Sequence, residues 1–224
     1  MTAHDGESFV PYALTRWDAE EMLARSAAFA AWLHTRRSVR VFSPEPVPLE
    51  AIRRCIDAAA SAPSGAHKQP WTFCLVTDPV LKAAIRSAAE AEEYQNYHGR
   101  MSESWLQDLK PFGTNHLKPF IEEAPALIVV FKQIHDTASQ GGKKPNYYVS
   151  ESVGISVGML LAALHHIGLV ALTHTPSPMG FLAEILDRPS HERAFLNIPV
   201  GFPAKGVQVP DLQRKRRGEY LVEY

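Results

Sequence analysis

The amino-acid sequence contains little cysteine, almost no net charge and no hydrophobic run of membrane-spanning length. Only two of its 224 residues are cysteines, and both lie in apolar runs, where Cys55 and Cys74 are better interpreted as small buried hydrophobes than as disulfide partners. The formal net charge is -1, which excludes the basic field that draws proteins onto nucleic acid or anionic lipid. The longest apolar stretch, 153–164, is shorter than the ~20 residues needed to cross a bilayer. We therefore expect a cytoplasmic protein whose partners are small molecules or a second copy of itself, with no nucleic acid and no membrane.

Several common functional motifs are also missing. No GxGxxG follows a strand pattern and no GxxxxGK[ST] occurs, so neither a Rossmann dinucleotide site nor a P-loop is indicated. The ten histidines lack HExxH or Cys/His ligand spacing, and we expect no metal site. The first dozen residues carry Asp5 and Glu7 and no apolar stretch, so no secretory signal is expected.

The hydrophobic periodicity predicts alternating helices and short buried strands. The expected helices cover about 18–35, a segment that begins near Pro48, about 79–97 and about 147–166, and the expected strands cover 71–76, 126–131, 169–172 and 195–200. Such an order with few tight-hairpin signals favours an α+β sandwich with a small central sheet. We expect one domain over 1–224, with an N-terminal helical segment (about 1–35), a cover over the site (about 92–118) and a C-terminal arm (about 211–224).

The helix expected over about 147–166 is apolar on nearly every side. It places Gly154, Gly158 and Ala162 four residues apart on one face, which allows close approach of another backbone. A helix of this kind is buried, either in the core or against a second subunit. The pattern leaves these two alternatives open.

A basic cluster and a tight turn together suggest a phosphate-bearing ligand. Arg36, Arg37 and Arg40 surround Ser38 at a helix end, where guanidinium groups and a hydroxyl can hold a phosphate. The segment Pro63–Gly65 forces backbone N–H groups into a turn. Arg214 is a further candidate from the far end of the chain. For the arginine residues, the alternative interpretation is a solvated basic surface.

A second concentration of polar residues lies in the cover. Glu93 and Tyr97 are four residues apart and share one helix face, while Lys118 approaches from the next segment. A carboxylate, a phenol and an ammonium group suit an amino-acid zwitterion, so we name these three residues the clamp. The alternative is an exposed helix with an ion pair worth at most ~1 kcal/mol.

Taken together, these segments resemble the nitroreductase superfamily, and within it the iodotyrosine deiodinase family. The similarity extends from about Arg36 to Arg214, and its most specific part is the clamp. The resemblance implies a nitroreductase fold with a small central mixed sheet packed by helices, an intertwined homodimer and a bound flavin mononucleotide (FMN). It also implies a soluble homologue of the bacterial type.

The resemblance further implies roles for individual residues. Thr175 would lie near flavin N5, the Ala66 N–H would meet the phenolate oxygen of the substrate, and the clamp would close over the zwitterion. His174 departs from the family, whose familiar members carry a threonine there. The implied cofactor-binding residues are Arg36, Arg37, Ser38, Arg40, Pro63, Ser64, Gly65, Thr173, His174, Thr175 and Arg214; the implied substrate-binding residues are Ala66, Glu93, Tyr97 and Lys118; Thr175 and Ala66 are the implied catalytic residues.

The implied activity is FMN-dependent reductive dehalogenation of halotyrosines in one-electron steps, with iodotyrosine, bromotyrosine and chlorotyrosine as candidate substrates. NAD(P)H would donate electrons directly or through a reductase. One alternative is a broad-specificity NAD(P)H-dependent nitroreductase or quinone reductase, which would lack a preference for zwitterions. Another is a flavin-binding sensor of aromatic amino acids, which would bind without turnover.

Overall fold

The computed structural model describes residues 9–136, 142 and 144–224. The chain divides into two compact units, 1–36 and 37–224. The first contains helix α1 (Ala19–His34), whose N-terminus is capped by Asp18 through a hydrogen bond that its side chain accepts from the Glu21 N–H at 2.9 Å. The helix predicted over 18–35 is thus confirmed, whereas residues 1–8 of the predicted N-terminal segment lie outside the described residues.

The second unit contains the remaining helices and strands. Its helices are α2 (Leu49–Ala60), α3 (Pro79–Gln95), α4 (Glu103–Leu109), α5 (Phe120–Glu123), α6 (Val149–His166) and α7 (Gly180–Ile185), and its strands are β1 (Trp71–Val76), β2 (Ala126–Gln133), β3 (His135–Asp136), β4 (Lys144–Pro145), β5 (Val170–Ala171) and β6 (Glu192–Gly201). A wide π-helical segment, Asn96–Arg100, continues α3. Short 3₁₀ turns lie at Gly65–His67, Lys110–Phe112 and Arg217–Glu219.

Four strands form the central sheet in the order β1-β2-β6-β5, and each neighbouring pair is antiparallel. An isolated parallel bridge joins Ser38 to Ala171 at the β5 edge, and it places Ser38 beside the segment that leads to Thr173. The predicted α+β class with a small central sheet packed by helices is confirmed. The sheet was expected to be mixed, but its strands pair antiparallel and the parallel pairing is confined to this bridge.

Helices cover both faces of this sheet. Side chains alternate along β2, so that Ile128 and Val130 join a core with α2 and α6, while Val129 and Phe131 join a second core with α3, α5 and α7. All four of these strand residues have no exposed surface. The fold therefore fixes α3 and α5, which flank the clamp, against one rigid face.

One face of helix α6 is buried in the core of this chain and another face is exposed. Val153, Leu160 and Leu164 pack in the core, but Gly154 and Gly158 are exposed, and a methyl group added to either would meet no atom within 4 Å. Of the two alternatives, core packing therefore explains only one face of the helix.

Both cysteines are free thiols, Cys55 buried and Cys74 half-buried. Burial raises the pKa of each thiol, which keeps it protonated and unreactive. No helix of the described residues is long and apolar enough to cross a membrane.

Glu192, at the start of β6, pairs with Arg188 and accepts a hydrogen bond from β1. Glu192 is 3% exposed and accepts two hydrogen bonds from Arg188, at 2.8 and 3.1 Å, and one from the Thr72 hydroxyl at 2.6 Å. Burial alone would raise the pKa of Glu192, but these donors hold that pKa below its ordinary value. The carboxylate therefore stabilises the fold above its ordinary pKa, and this contribution is lost as the pH falls through the lowered pKa.

We expect Arg188→Leu to lower the free energy of unfolding by about 2 to 3 kcal/mol near neutral pH, because Glu192 loses its cation while remaining buried. The loss should shrink in acid, where Glu192 becomes protonated. Urea unfolding at fixed protein and flavin concentrations measures it. Arg193→Leu, at the adjacent exposed position, is the matched control and should change stability by less than about 0.5 kcal/mol. Equal effects of the two variants at neutral pH would contradict this expectation.

Candidate functional site

A cavity of about 200 Å³ lies in the second unit, beneath the cover. The clamp residues Glu93, Tyr97 and Lys118 line it together with Arg40 and Thr173–Thr175. Apolar residues of the cover, including Trp105 and Leu109, complete the wall. Residues predicted from separate parts of the sequence thus meet around one space.

The end of α3 positions two of the clamp residues. Asp78 caps the N-terminus of α3 by accepting a hydrogen bond from the Leu81 N–H at 2.9 Å, and Pro79 occupies its first turn. Glu93 lies in the last turn, and Tyr97 lies in the following π-helical segment. The Asn96 side chain donates to the Ser177 carbonyl at 2.8 Å, which ties this segment to the chain beyond Thr175. Wide turns of this kind are frequent at functional sites.

Glu93 and Lys118 form a buried ion pair. The Glu93 Oε2 to Lys118 Nζ distance is 3.5 Å, and the two residues are 6% and 3% exposed. Burial would raise the pKa of Glu93, but the hydrogen bond from His174 and the charge of Lys118 lower it, so the group is a carboxylate. Burial lowers the pKa of Lys118, and Glu93 opposes that shift. The clamp therefore pairs a carboxylate with an ammonium group away from water, and the Arg40 guanidinium lies in the same cavity wall.

Local contacts fix Lys118 and Tyr97. The Lys118 ammonium donates to the Asn115 carbonyl and to the Thr114 hydroxyl, and it lies 5.2 Å from the centre of the Tyr97 ring. Burial raises the pKa of the Tyr97 phenol, which Thr114 opposes through a hydrogen bond. The Tyr97 phenol is accordingly neutral near pH 7, and its O–H can donate a hydrogen bond to a ligand.

The structure places the His174 side chain against Glu93, which the sequence did not indicate. Its Nε2 lies 3.2 Å from Glu93 Oε1, whereas the neighbours Thr173 and Thr175 are exposed. Burial lowers the pKa of His174, although Glu93 opposes that shift. The His174 imidazole is therefore engaged with the clamp.

Arg36 is the last residue of the first unit, and Arg37, Ser38, Arg40 and Arg214 belong to the second. Within the second unit, Arg37 donates to the Pro210 carbonyl, next to the start of the C-terminal arm. Arg40 is half-buried in the cavity wall, where burial lowers its pKa and its guanidinium lies 5.5 Å from the centre of the Phe112 ring. Arg214 lies in the exposed arm.

The Pro63–Ala66 turn has the strained backbone that its composition predicts. Ala66 adopts a left-handed conformation with φ of 49°, which is uncommon for a residue with a side chain. The Ala66 N–H makes no hydrogen bond to a described residue. Gly65 is required next to it, because a Cβ there would lie 2.9 Å from the Tyr147 carbonyl oxygen. The turn thus presents an unused donor, although it does not line the clamp cavity.

Comparison with known proteins shows close relatives. Residues 33–202 match the model of the nitroreductase family. An iodotyrosine deiodinase from Haliscomenobacter hydrossis is 57% identical, over 97% of this chain and 98% of that protein. Iodotyrosine deiodinase 1 of Mus musculus is 46% identical, over 98% of this chain and 78% of that protein. The crystal structure of oxidised iodotyrosine deiodinase bound to FMN and 3-iodo-L-tyrosine superposes with a TM-score of 0.73 at 32% identity, covering 88% of this chain and 98% of that one.

We expect Lys118→Met to raise the pKa of His174, because the charge of Lys118 disfavours a second cation in the same buried cluster. NMR titration of the imidazole signals measures this shift. Lys110→Met removes an exposed ammonium in the cover and serves as the control, with no shift expected. An unchanged or lowered His174 pKa in Lys118→Met would be the contradictory result.

Proposed function

The chain belongs to the nitroreductase family and, within it, to the iodotyrosine deiodinases, and on that basis we propose that it dehalogenates halotyrosines reductively with FMN. The reaction replaces the carbon–halogen bond of iodotyrosine by a carbon–hydrogen bond, releasing tyrosine and halide. Two electrons and one proton enter for each halide that leaves. The buried, charge-matched clamp is the observation that carries this proposal.

We assign the amino-acid end of the substrate to the clamp. The Glu93 carboxylate accepts hydrogen bonds from the substrate ammonium, while Tyr97 and Lys118 donate to the substrate carboxylate. At 3.5 Å the Glu93–Lys118 pair is longer than the ~2.7–2.9 Å of a strong charge-assisted hydrogen bond. The Glu93 oxygens keep lone pairs for a ligand ammonium. The three N–H donors of Lys118 face Asn115, Thr114 and Glu93, so Lys118 would exchange its long contact with Glu93 for one with the ligand carboxylate. An uncharged nitroaromatic or quinone would leave the clamp unused, which favours dehalogenation over the broad reductase alternative.

The donors on the chain suit FMN. Arg36, Arg37, Ser38, Arg40 and Arg214 would hold its phosphate and adjoining polar groups, and Pro63, Ser64 and Gly65 would line it. The exposed Thr173 and Thr175 would face its ring system, whereas the side chain of His174 between them points toward Glu93. When bound, FMN supplies the electrons, which we propose pass one at a time.

The Ala66 N–H is assigned to the phenolate oxygen of the substrate. Halogen substitution lowers the phenol pKa below the ~10 of tyrosine, so the anion is available near neutral pH. A donor at that oxygen holds the anion in place, and charge that moves to the ring carbon bearing the halogen weakens the carbon–halogen bond. The left-handed backbone at Ala66 keeps its N–H out of the turn's own hydrogen bonds.

We further propose a homodimer. The exposed glycine face of α6 allows close approach of a second copy, and exposed Tyr147 and Ile155 lie on or beside that helix. The Pro63–Ala66 turn is absent from the cavity lining, which is compatible with a site completed by two subunits.

The proposed electron source is NAD(P)H, which would act directly or through a reductase. The proposed location is the cytoplasm, and the free thiols of Cys55 and Cys74 are compatible with it.

Anaerobic single turnover tests the function directly. Reduced holoprotein mixed with 3-iodotyrosine should form stoichiometric tyrosine and iodide as the flavin absorbance of the oxidised form returns. Reduced flavin that persists without tyrosine formation would disprove dehalogenation. Rapid NAD(P)H-driven nitroaromatic turnover without preference for halotyrosines would instead support the broad reductase.

We expect Glu93→Gln to weaken 3-iodotyrosine binding by roughly tenfold to a hundredfold, as a charged hydrogen bond of ~1.5–3 kcal/mol is lost. FMN content should stay unchanged. Glu92→Gln is the matched control, since Glu92 pairs with Arg100 at 2.5 Å outside the cavity. An unchanged affinity of Glu93→Gln for 3-iodotyrosine would show that Glu93 does not bind the substrate ammonium.

A further inference from the structure

His174 faces away from the two threonines that flank it. Its backbone N–H and C=O exchange hydrogen bonds with Asn197 of β6, each at 2.9 Å, so the segment is locally extended and its side chains alternate. Thr173 and Thr175 are exposed, while His174 is 8% exposed and directed into the protein. The pairing with β6 therefore directs the His174 imidazole toward the clamp.

The hydrogen bond between His174 and Glu93 has a defined direction. The Glu93 carboxylate can only accept, so the His174 Nε2, 3.2 Å from Oε1, must carry the proton. The charged groups around the imidazole are Glu93, Lys118 and Arg40, and the Phe120 ring lies edge-on at 5.3 Å. Burial and the two cations outweigh the carboxylate and lower the pKa of His174. The donor is thus a neutral imidazole protonated at Nε2 near pH 7.

The two carboxylate oxygens of Glu93 have different partners. Oε1 lies by His174 at 3.2 Å and Oε2 lies by Lys118 at 3.5 Å. Without a donor at Oε1, the carboxylate is free to rotate and direct both oxygens to Lys118. Such a chelated pair would compete with a ligand ammonium, because the same oxygens would be occupied.

We propose that His174 is a positioning residue that holds Glu93 by one oxygen and leaves the other available to the substrate ammonium. The inference rests on the proposed function of the clamp. Asn197 lies at the position directly opposite His174, and its fully buried side-chain amide has no hydrogen-bond partner among the described residues. The His174 Nδ1 also has no such partner. A neutral imidazole protonated at Nε2 keeps Nδ1 as an acceptor, so a change of the Asn197 rotamer would bring it a donor.

A matched pair of substitutions tests this role. His174→Gln places an amide nitrogen near the position of Nε2, whereas the shorter His174→Asn ends near Nδ1 and cannot reach Glu93. With FMN content equal, we expect His174→Gln to bind 3-iodotyrosine within about threefold of wild type and His174→Asn about tenfold more weakly. Equal affinity in the two variants would overturn the proposal, because of the two amides only that of glutamine reaches Glu93.

The wild-type holoprotein provides a second readout that needs no variant. NMR of ¹⁵N-labelled histidine should show His174 as the neutral tautomer protonated at Nε2 near pH 7; protonation at Nδ1 alone would overturn the proposal. Lowering the pH through the His174 pKa should weaken 3-iodotyrosine binding more in wild type than in His174→Gln, because an imidazolium behind Glu93 opposes the ligand ammonium. Phenol ionisation of the ligand is common to both proteins and cancels in this comparison. A wild-type protein that forms no tyrosine from 3-iodotyrosine would refute the proposed function, while the tautomer would still decide the role of His174.

Discussion

The buried ion pair between Glu93 and Lys118 is the interaction on which the site depends. Two charges removed from water are costly unless they are matched and hydrogen-bonded, and here His174, Thr114 and Asn115 supply the additional bonds. The pair is also long, at 3.5 Å. A ligand with one ammonium and one carboxylate can therefore strengthen both ends without leaving either charge alone.

The fold brings these groups together from distant parts of the chain. Glu93 comes from the end of α3, Lys118 from the segment before α5, and His174 from the chain paired with β6. Helices α3 and α5 pack on the same sheet face, which includes Val129 and Phe131. The clamp is consequently anchored on a rigid core, while the apolar residues of the cover lie above it.

Part of this arrangement could be predicted from the sequence. The strand at Trp71–Val76 was predicted with its observed bounds because an apolar run lies between Pro70 and Asp78. Helical spacing placed Glu93 and Tyr97 on one face, and the family resemblance implied that Lys118 joins them; the structure shows all three at one cavity. The short helices α4, α5 and α7 were not predicted, since four to seven residues carry too little periodicity.

The contact of His174 with Glu93 could not be predicted, because it depends on the register of an isolated bridge to Asn197 rather than on local spacing. The exposed face of α6 could not be predicted for a related reason: the sequence shows that a helix is apolar, but it does not show which of its faces pack in the core.

The most direct measurement of the central claim compares the binding of 3-iodotyrosine, 3-iodotyramine and 2-iodophenol to the oxidised holoprotein. If the clamp recognises a zwitterion, 3-iodotyramine should bind at least about tenfold more weakly than 3-iodotyrosine, and 2-iodophenol more weakly still. Equal affinity for the three ligands would show that the buried pair does not bind the amino-acid group.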